Sequence, residues 1–420
     1  MIVMEKKKIV LISHSDVVGG AAIVTSRLMR ALRSLGHDAG MVVFAKNGDD
    51  PEVKEIGWRC ARGMKFLVER AEIYLKNGRS RENLFKVSTA AHGMAIHRHK
   101  LVKEADVVIL NWINQGTVSL NEIAILAAMG KKIIWTMHDM WCFTGICHHA
   151  YDCDHYKRQC GNCRFLKNGG SPSDLSNSVW KAKAEIYRES PIKFVAVSNW
   201  LKERALESSL LKNHDIEVIP NAFPVERFNP KTPTKDMWAI LNDFKNVIVF
   251  GAARVDDPIK GVEHAVNALN ILVDTHPEIA ATTIAVFFGN VVRDGVFDNL
   301  RFPHLACGTI ADPTMLLHLS RRATVVLSTS LYETLPGTLI EGQSTGAVPV
   351  TFGRGGQGDI IDHKINGYIA RYLDDADIAE GIVWAINSGI SREALHQLVV
   401  DRFSSEAIAR RYIDLIDSLD

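Results

Sequence analysis

Short apolar runs alternate with helix-length amphipathic segments along the whole chain, and this alternation limits the fold more than any other feature. In the first half, apolar runs predict strands at 9–13, 39–44, 107–110, 132–137 and 193–197. The second half repeats the scheme, with strands at 247–251, 283–288, 323–327 and 348–352. Strands that alternate with helices form parallel sheets with helices on both faces. The sequence therefore predicts the α/β class.

A proline-marked segment separates the two halves. It reads Ile-Pro-Asn-Ala-Phe-Pro over 219–224, and Pro230 follows shortly after it. Such a segment is typical of a linker. At 420 residues the chain is also too long for one ordinary hydrophobic core. We therefore expect two Rossmann-like domains, 1–222 and 223–403, and a final helix over 404–420.

The composition is that of a globular protein and excludes several classes. Apolar residues make up 47%, charged residues 23%, and the net charge is +1, which gives no general case for binding nucleic acid. No run reaches the roughly 18 apolar residues that a membrane-spanning helix needs. Lys6–Lys8 followed by Ile9–Ile12 imitates the start of a signal peptide, but no small-residue cleavage site follows. We expect a cytoplasmic protein with reduced thiols.

Two glutamates in the second half indicate a ligand site. Glu333 follows the strand predicted at 323–327, and Glu341 lies about one turn into the next helix. Open α/β sheets bind ligands at the carboxyl ends of their strands, and the start of a helix attracts anions. Carboxylates beside an anion site suit a nucleotide sugar; the alternative is two surface acids near a helix start. Further contacts would come from the residues that open this helix: Leu335, Pro336, Gly337 and Thr338.

Three other strand ends carry residues suited to ligand binding. Gly19 and Gly20 separate the first strand from its helix, where glycines let a ligand approach the backbone or simply permit a tight turn. Arg254 ends a strand and Lys260 precedes a helix, so both could contact phosphate oxygens or remain solvated charges. His138 ends the strand 132–137, as either a ligand contact or a structural residue.

Taken together, these motifs resemble the signature of retaining GT-B glycosyltransferases, family 4 in particular. The resemblance covers nearly the whole chain and rests on Gly-Gly-Ala at 19–21, Trp-Thr-Met-His-Asp at 135–139, the Arg254/Lys260 pair and the Glu-x7-Glu motif of 333–341. It implies a GT-B fold, in which two Rossmann-like domains with parallel sheets face each other across a cleft. It also implies that the final helix returns to the first domain.

The resemblance implies a role for each motif residue. Glu333 would face the hydroxyl groups of the donor sugar and Glu341 the ribose, while Arg254 and Lys260 would stabilise the leaving diphosphate. His138 would hydrogen-bond the donor sugar or support the transition state, and Gly19 and Gly20 would lie beside the diphosphate or the acceptor. The backbone of Gly308 and Thr309 would border the base. The candidate catalytic residues are thus Glu333, His138, Arg254 and Lys260, and no catalytic metal is expected.

Three positions depart from the family pattern. Asn221-Ala222 stands where the family commonly has Asn-Gly, and Gly342 replaces the usual alanine after the second glutamate. Both bear on hinge and helix packing. Asn111-Trp112 stands where relatives often have His-Trp, which bears on the choice of acceptor.

Four cysteines form a separate signal: Cys147, Cys153, Cys160 and Cys163 fall within seventeen residues. In a cytoplasmic chain this spacing favours a structural zinc ion over disulfides, with disulfides or free thiols as the alternatives. The stretch resembles one that a subset of family 4 enzymes of capsule and exopolysaccharide gene clusters carries after its His-Asp.

Positive charge is concentrated in the segment 59–103, which contains eleven Lys and Arg residues against three Glu. Within it, apolar residues recur at helical spacing: Met64, Leu67, Val68, Ala71 and Leu75. A basic amphipathic helix can lie on an anionic membrane, or it can pack on the core with its basic face in water.

We therefore expect a retaining glycosyltransferase that moves a sugar from a nucleoside-diphosphate donor to a glycan or lipid-linked acceptor of surface polysaccharide, at the inner face of the membrane. One alternative is a sugar phosphorylase or sugar-phosphate synthase with a soluble acceptor. The other is a non-catalytic nucleotide-sugar-binding assembly subunit.

Overall fold

Each half of the chain folds around its own parallel sheet in the computed structural model. The structure describes residues 6–231 and 237–419. The chain divides into unit 1, made of Met1–Ala222 and Ser405–Asp420, and unit 2, made of Phe223–Ser404.

Unit 1 alternates strands and helices as the sequence predicts. Its strands are β1 (Lys8–Ser15), β2 (Asp38–Ala45), β3 (Val53–Glu55), β4 (Val107–Leu110), β5 (Lys132–Met137), β6 (Ile192–Ala196) and β7 (Ile216–Val218). Its helices are α1 (Gly20–Ser34), α2 (Arg59–Lys76), α3 (Lys100–Glu104), α4 (Leu120–Ala128), α5 (Leu175–Glu189) and α6 (Asn199–Glu207). Over the described residues, the strands form one parallel sheet in the order β3-β2-β1-β4-β5-β6-β7.

Unit 2 repeats the architecture. Its strands are β8 (Asn246–Arg254), β9 (Thr283–Asn290), β10 (His304–Ala306), β11 (Val325–Ser328), β12 (Val348–Phe352) and β13 (Tyr368–Ala370). Its helices are α7 (Val262–Thr275), α8 (Pro277–Ala280), α9 (Pro313–Arg322), α10 (Gly337–Ser344), α11 (Asp375–Asn387) and α12 (Arg392–Phe403). The strands described in this unit form a parallel sheet in the order β10-β9-β8-β11-β12-β13.

The final helix, α13 (Ser405–Asp417), belongs to unit 1 although it follows unit 2 in the chain. Its Ile408 and Ile416 share an apolar core with Met29 and Leu32 of α1. Its Tyr412 hydroxyl hydrogen-bonds Thr136 Oγ1 of β5 at 2.8 Å. Apolar packing and this buried hydrogen bond hold the end of the chain on unit 1. Residue 420 of the predicted helix 404–420 lies outside the described residues.

The predicted strands all correspond to observed ones, with small shifts. The strand predicted at 323–327 is observed at Val325–Ser328, because Ala323 caps the carboxyl end of α9. Four strands escaped the sequence analysis: β3, β7, β10 and β13. Each has only three residues, which is too short to show a period.

Helix α2 turns its apolar stripe to solvent. Met64, Leu67 and Leu75 are 63%, 64% and 60% exposed, and Val68 and Ala71 are exposed as well. The interpretation that this stripe packs on the core is therefore wrong.

Polar contacts anchor the opposite face of α2. Glu69 is fully buried, and its Oε1 accepts the backbone N–H groups of Thr89 at 2.9 Å and Ala90 at 3.2 Å. Arg70, also buried, donates from Nη1 to the carbonyl oxygen of Val87 at 3.1 Å. Among the described residues, no helix combines the length and apolar character needed to cross a bilayer.

Gly342 brings α10 close to the sheet. A Cβ at this position would lie 2.5 Å from the Cβ of Val326 in β11. The alanine common in the family would therefore push α10 away from β11, which explains why glycine suits this chain.

Candidate active site

Arg254 lies at the carboxyl end of β8, where a buried carboxylate orients it. Its Nε and Nη2 donate to the two oxygens of Asp256, each at 3.2 Å. Asp256 also accepts the N–H groups of Val292 and Arg293, and the hydrogen bond from Arg254 holds the pKa of Asp256 well below its usual range. Half of the Arg254 side chain stays exposed, at 52%. The guanidinium is thus fixed in direction but open to a ligand.

Lys260 ends a tight turn between β8 and α7. The next residue, Gly261, has φ of +61°, and a Cβ there would lie 2.3 Å from the carbonyl oxygen of Thr329. Only glycine fits this backbone, which lets the turn pack against the loop after β11. The Lys260 ammonium then reaches the Glu333 carboxylate, at 2.5 Å between Nζ and Oε1.

The loop that contains Glu333 leads into α10. Gly356 N–H donates to the Glu333 carbonyl at 3.0 Å, and Leu331 N–H donates to the Ile259 carbonyl at 2.8 Å. The residue before α10 is Pro336, and its side chain makes no capping hydrogen bond to the start of this helix. The first N–H groups of α10 can therefore be offered to an anion.

The remaining predicted donor residues follow the same edge of the unit 2 sheet. Gly308 follows β10 and has φ of +63°. Its carbonyl oxygen accepts the N–H of Gly289 in β9. The next residue of β9, Asn290, pairs with Arg254 of β8. Glu341 is half-buried, one turn into α10. Thr309, Gly337 and Thr338 are exposed or half-buried, whereas Leu335 and Pro336 are buried. The structure brings Lys260 and Glu333 into contact; the donor-binding roles stay predictions.

In unit 1, the two glycines that are predicted to contact a ligand have open space beside them. Gly19 has φ of +93° and Gly20 begins α1; both are exposed, and no atom lies within 4 Å of a Cβ built on either. The start of α1 is therefore open to a ligand.

His138 follows β5, at the carboxyl edge of the unit 1 sheet. Its Nε2 lies 3.0 Å from Oδ1 of Asn111, which follows β4. Burial lowers the pKa of His138 to about 4, so the imidazole is neutral at pH 7. It can act there as a hydrogen-bond partner rather than as a cation. Its role toward a donor sugar stays a prediction.

The adjacent Asp139 is the centre of a cluster that the sequence analysis did not assign. Its Oδ2 accepts Trp112 Nε1–H at 3.1 Å and lies 2.7 Å from His148 Nδ1. Burial alone would raise the pKa of Asp139, but His148 beside it lowers that pKa to about 2. The proximity of His148 to a cysteine-rich stretch was visible in the sequence, but nothing there linked it to Asp139.

A buried lysine was also missed. Lys183 of α5 is fully buried and donates to the backbone carbonyls of Trp141, Thr144 and Gly145. Burial lowers the pKa of Lys183 to about 7. This side chain ties α5 to the segment 140–165, which we call the cysteine loop.

The four predicted metal ligands line one small cavity inside the cysteine loop: Cys147, Cys153, Cys160 and Cys163. Gly145 N–H donates to Cys160 Sγ at 3.2 Å. Burial raises the pKa of Cys160 to about 12 and that of Cys163 to about 11. All seven cysteines are free thiols, so the disulfide alternative is not observed. Within 6–231 and 237–419, no group of three or more His, Cys, Asp and Glu side chains is arranged to hold a metal ion.

Comparison with known proteins agrees with this architecture. Residues 18–227 match Glycosyltransferase Family 4, and residues 239–398 match Glycosyl transferases group 1. No curated protein matches the chain.

Three solved structures illustrate the likeness. Anabaena HepE in complex with UDP is 15% identical, with 98% of this chain and 100% of that chain covered and a TM-score of 0.64. The sucrose-phosphate synthase of Thermosynechococcus elongatus is 17% identical, with 99% of each chain covered and a TM-score of 0.64. The lipopolysaccharide outer core galactosyltransferase WaaB is 15% identical, with 98% of this chain and 99% of that chain covered and a TM-score of 0.58. At these identities the likeness shows the fold.

Two Rossmann-like units with parallel sheets, and the similarity to these structures, define the GT-B fold, and the two family matches define a glycosyltransferase. The predicted fold class and enzyme class are confirmed. Since the match to the first family spans half of the chain, the chain belongs to glycosyltransferase family 4.

Proposed function

We propose that this enzyme is a retaining glycosyltransferase that takes its sugar from a nucleoside-diphosphate donor bound in unit 2. The Lys260–Glu333 contact carries the proposal, since it pairs a cation with a carboxylate in the loop that leads into the start of α10. A diphosphate needs cations and N–H donors, and a sugar needs hydrogen-bond acceptors. The structure of HepE in complex with UDP supports this class of donor.

The ion pair defines how donor binding would proceed. Lys260 and Glu333 neutralise each other in the structure. A diphosphate would compete for the Lys260 ammonium and leave the Glu333 carboxylate for the sugar hydroxyls. Arg254, oriented by Asp256, would supply a second cation. Both cations would stabilise the charge that develops on the leaving diphosphate.

Thermal unfolding against UDP, GDP, ADP and CMP, with and without their sugars, tests the donor site. A ligand that binds the native state raises the melting temperature. We expect a shift with one diphosphate, loss of that shift in Lys260→Ala, and retention in Lys245→Ala, an exposed lysine just before β8 at the opposite edge of the sheet. A shift that survives Lys260→Ala, or no shift with any nucleotide, would contradict the assignment.

For the acceptor, we propose a glycan or lipid-linked unit of surface polysaccharide, used at the cytoplasmic face of the membrane. The support is α2, whose exposed apolar stripe lies within the basic segment 59–103. Such a helix binds anionic lipid surfaces through apolar burial and charge attraction. The similarity to the lipopolysaccharide galactosyltransferase WaaB supports an acceptor of this type.

A synthase that uses a soluble acceptor is the second candidate, supported by the similarity to sucrose-phosphate synthase. Co-sedimentation with vesicles separates the two candidates. Binding to phosphatidylglycerol vesicles but not to phosphatidylcholine vesicles supports the lipid-linked acceptor. Absence of binding to both favours the soluble one.

For the cysteine loop, we propose a structural zinc ion held by Cys147, Cys153, Cys160 and Cys163. The support is that all four thiols open onto one cavity and that four thiolates suit tetrahedral zinc. Binding would require the thiols to close around the ion. Elemental analysis of purified protein should find one zinc per chain, absent in Cys160→Ser and retained in Cys60→Ser, an exposed cysteine outside the loop. Zinc-free protein from zinc-supplemented cells would overturn this proposal.

A further inference from the structure

Two aromatic rings at the carboxyl edge of the unit 1 sheet are held face to face by one carboxylate. The rings of Trp112 and His148 stack with centroids 5.5 Å apart and an interplanar angle of 26°. Asp139 Oδ2 bonds to Trp112 Nε1 at 3.1 Å and to His148 Nδ1 at 2.7 Å. Its other oxygen accepts Trp141 N–H at 2.8 Å. The carboxylate therefore fixes the orientation of both rings.

His148 is held from its other side as well. Its Nε2 lies 3.1 Å from Ser88 Oγ, so Ser88, His148 and Asp139 follow one another as in a serine hydrolase triad. Ser88 is only 1% exposed, however, and no substrate can reach its hydroxyl. The arrangement orients His148 instead of activating a nucleophile.

The cysteine loop positions His148 between Asp139 and Ser88. Met140 N–H donates to the His148 carbonyl oxygen at 2.9 Å, and Trp141 Nε1 donates to the Ser88 carbonyl oxygen at 2.9 Å. Lys183 binds three carbonyls of the same loop. The loop thus has enough buried polar contacts to present His148 rigidly.

The cluster keeps an accessible surface. Trp112 is half-buried, and the side chains of His148 and Asp139 are 15% and 14% exposed. His14 extends the aromatic row, since its ring meets Trp112 edge-on at 5.6 Å and stacks on Phe44 at 4.9 Å. Rings beside a few fixed polar groups suit a pyranose, whose C–H face packs on aromatic surface while its hydroxyl groups form hydrogen bonds.

We propose that Trp112 and His148 form the subsite for the acceptor's terminal sugar, with the cysteine loop as its structural support. This inference rests on the proposed transferase function and adds the class of acceptor group, a pyranose, and the side chains that bind it. The ligand packs on the exposed parts of Trp112 and His148, and its hydroxyl groups donate to the Asp139 carboxylate, because both ring nitrogens of His148 already have partners.

Ligand-detected saturation-transfer NMR with methyl glycosides of glucose, galactose, mannose and N-acetylglucosamine tests the subsite. We expect at least one glycoside to bind and Trp112→Ala to weaken it about tenfold, the equivalent of about 1.4 kcal/mol for a lost aromatic contact. Trp112→Phe, which keeps a ring, and His148→Gln should each weaken it about threefold. Trp58→Ala, a surface tryptophan 85% exposed, should change nothing.

The outcomes are separable from those of the donor site. Circular dichroism checks that each variant folds, and Trp112→Phe with His148→Gln carries the test if Trp112→Ala does not fold. Equal binding by parent and variants, or no glycoside bound by the parent, overturns the subsite. If a nucleotide still raises the melting temperature of every variant, the donor-site proposal holds whatever the glycosides do. If glycoside binding depends on Trp112 but no nucleotide raises the melting temperature, the subsite proposal holds and the donor-site proposal fails.

Discussion

Helices α1 and α2 are both amphipathic, yet they point their apolar stripes in opposite directions. In α1, Met29 and Leu32 are fully buried in a core that α13 completes. In α2, the stripe that includes Leu67 faces solvent, and the buried side chains are Arg62, Glu69, Arg70 and Ile73. An apolar stripe thus predicts a helix and a face, but the segments that return to cover it decide whether that face becomes core.

The largest effect is expected on the buried polar face of α2. Glu69→Ala removes the carboxylate that accepts from Thr89 and Ala90 and that lies 3.3 Å from Arg70. Leaving a buried arginine and two N–H groups without this partner should lower the free energy of unfolding by about 3–5 kcal/mol. Urea denaturation measures it. Glu82→Ala, at an exposed site, is the control, and equal stability of the two variants would show that polar contacts do not anchor α2.

A somewhat smaller loss is expected for the apolar face of α1. Leu32→Ala leaves a cavity where α1 meets α13 and should cost about 2–5 kcal/mol. Leu67→Ala in α2 makes the same chemical change at an exposed site and should stay within about 0.5 kcal/mol. If both variants lost the same stability in urea, the two stripes would not differ as described.

Acid should weaken unit 1 without involving either stripe. Burial lowers the pKa values of His138 and His14 to about 4 from 6.5. The unfolded chain therefore binds protons between pH 6.5 and 4 that the folded chain does not, so stability is full above pH 6.5 and falls toward pH 4. His138→Gln should reduce that fall by on the order of 1 kcal/mol. Denaturation curves across this range measure it, and the exposed His304→Gln should keep the original fall.

The smallest effect on stability is expected for a charge placed on the α2 stripe. Leu67→Asp should change the free energy of unfolding by less than about 0.5 kcal/mol, because the side chain is already in water. Binding to phosphatidylglycerol vesicles should nevertheless fall about tenfold, as apolar burial is lost and like charges repel. Ile365→Asp, at a site 72% exposed in unit 2, is the matched control. Unchanged vesicle binding in Leu67→Asp would remove α2 as the membrane contact.

The two units also differ in how many of their site residues the sequence predicts. In unit 2, Arg254 ends a strand, and Lys260 and Glu333 lie in loops that follow strands. Because parallel strands bring their carboxyl ends to one edge, local patterns suffice to place all three at that edge. In unit 1, Asp139 and His148 pair with side chains far along the chain, such as Ser88, 60 residues from His148. No local period reports such a contact.

The sequence alone predicted the α/β class, the division of the chain near 222, the interior strands and the residues at the carboxyl ends of these strands. These depend on hydrophobic periodicity and on the direction of parallel strands, which short segments encode. Only the tertiary structure decided that the α2 stripe faces outward, that Lys260 meets Glu333 across 73 positions and that the cysteine loop returns His148 to Asp139. Such contacts depend on which distant segments compete to cover a surface or satisfy a charge, and that competition is settled only when the whole chain is packed.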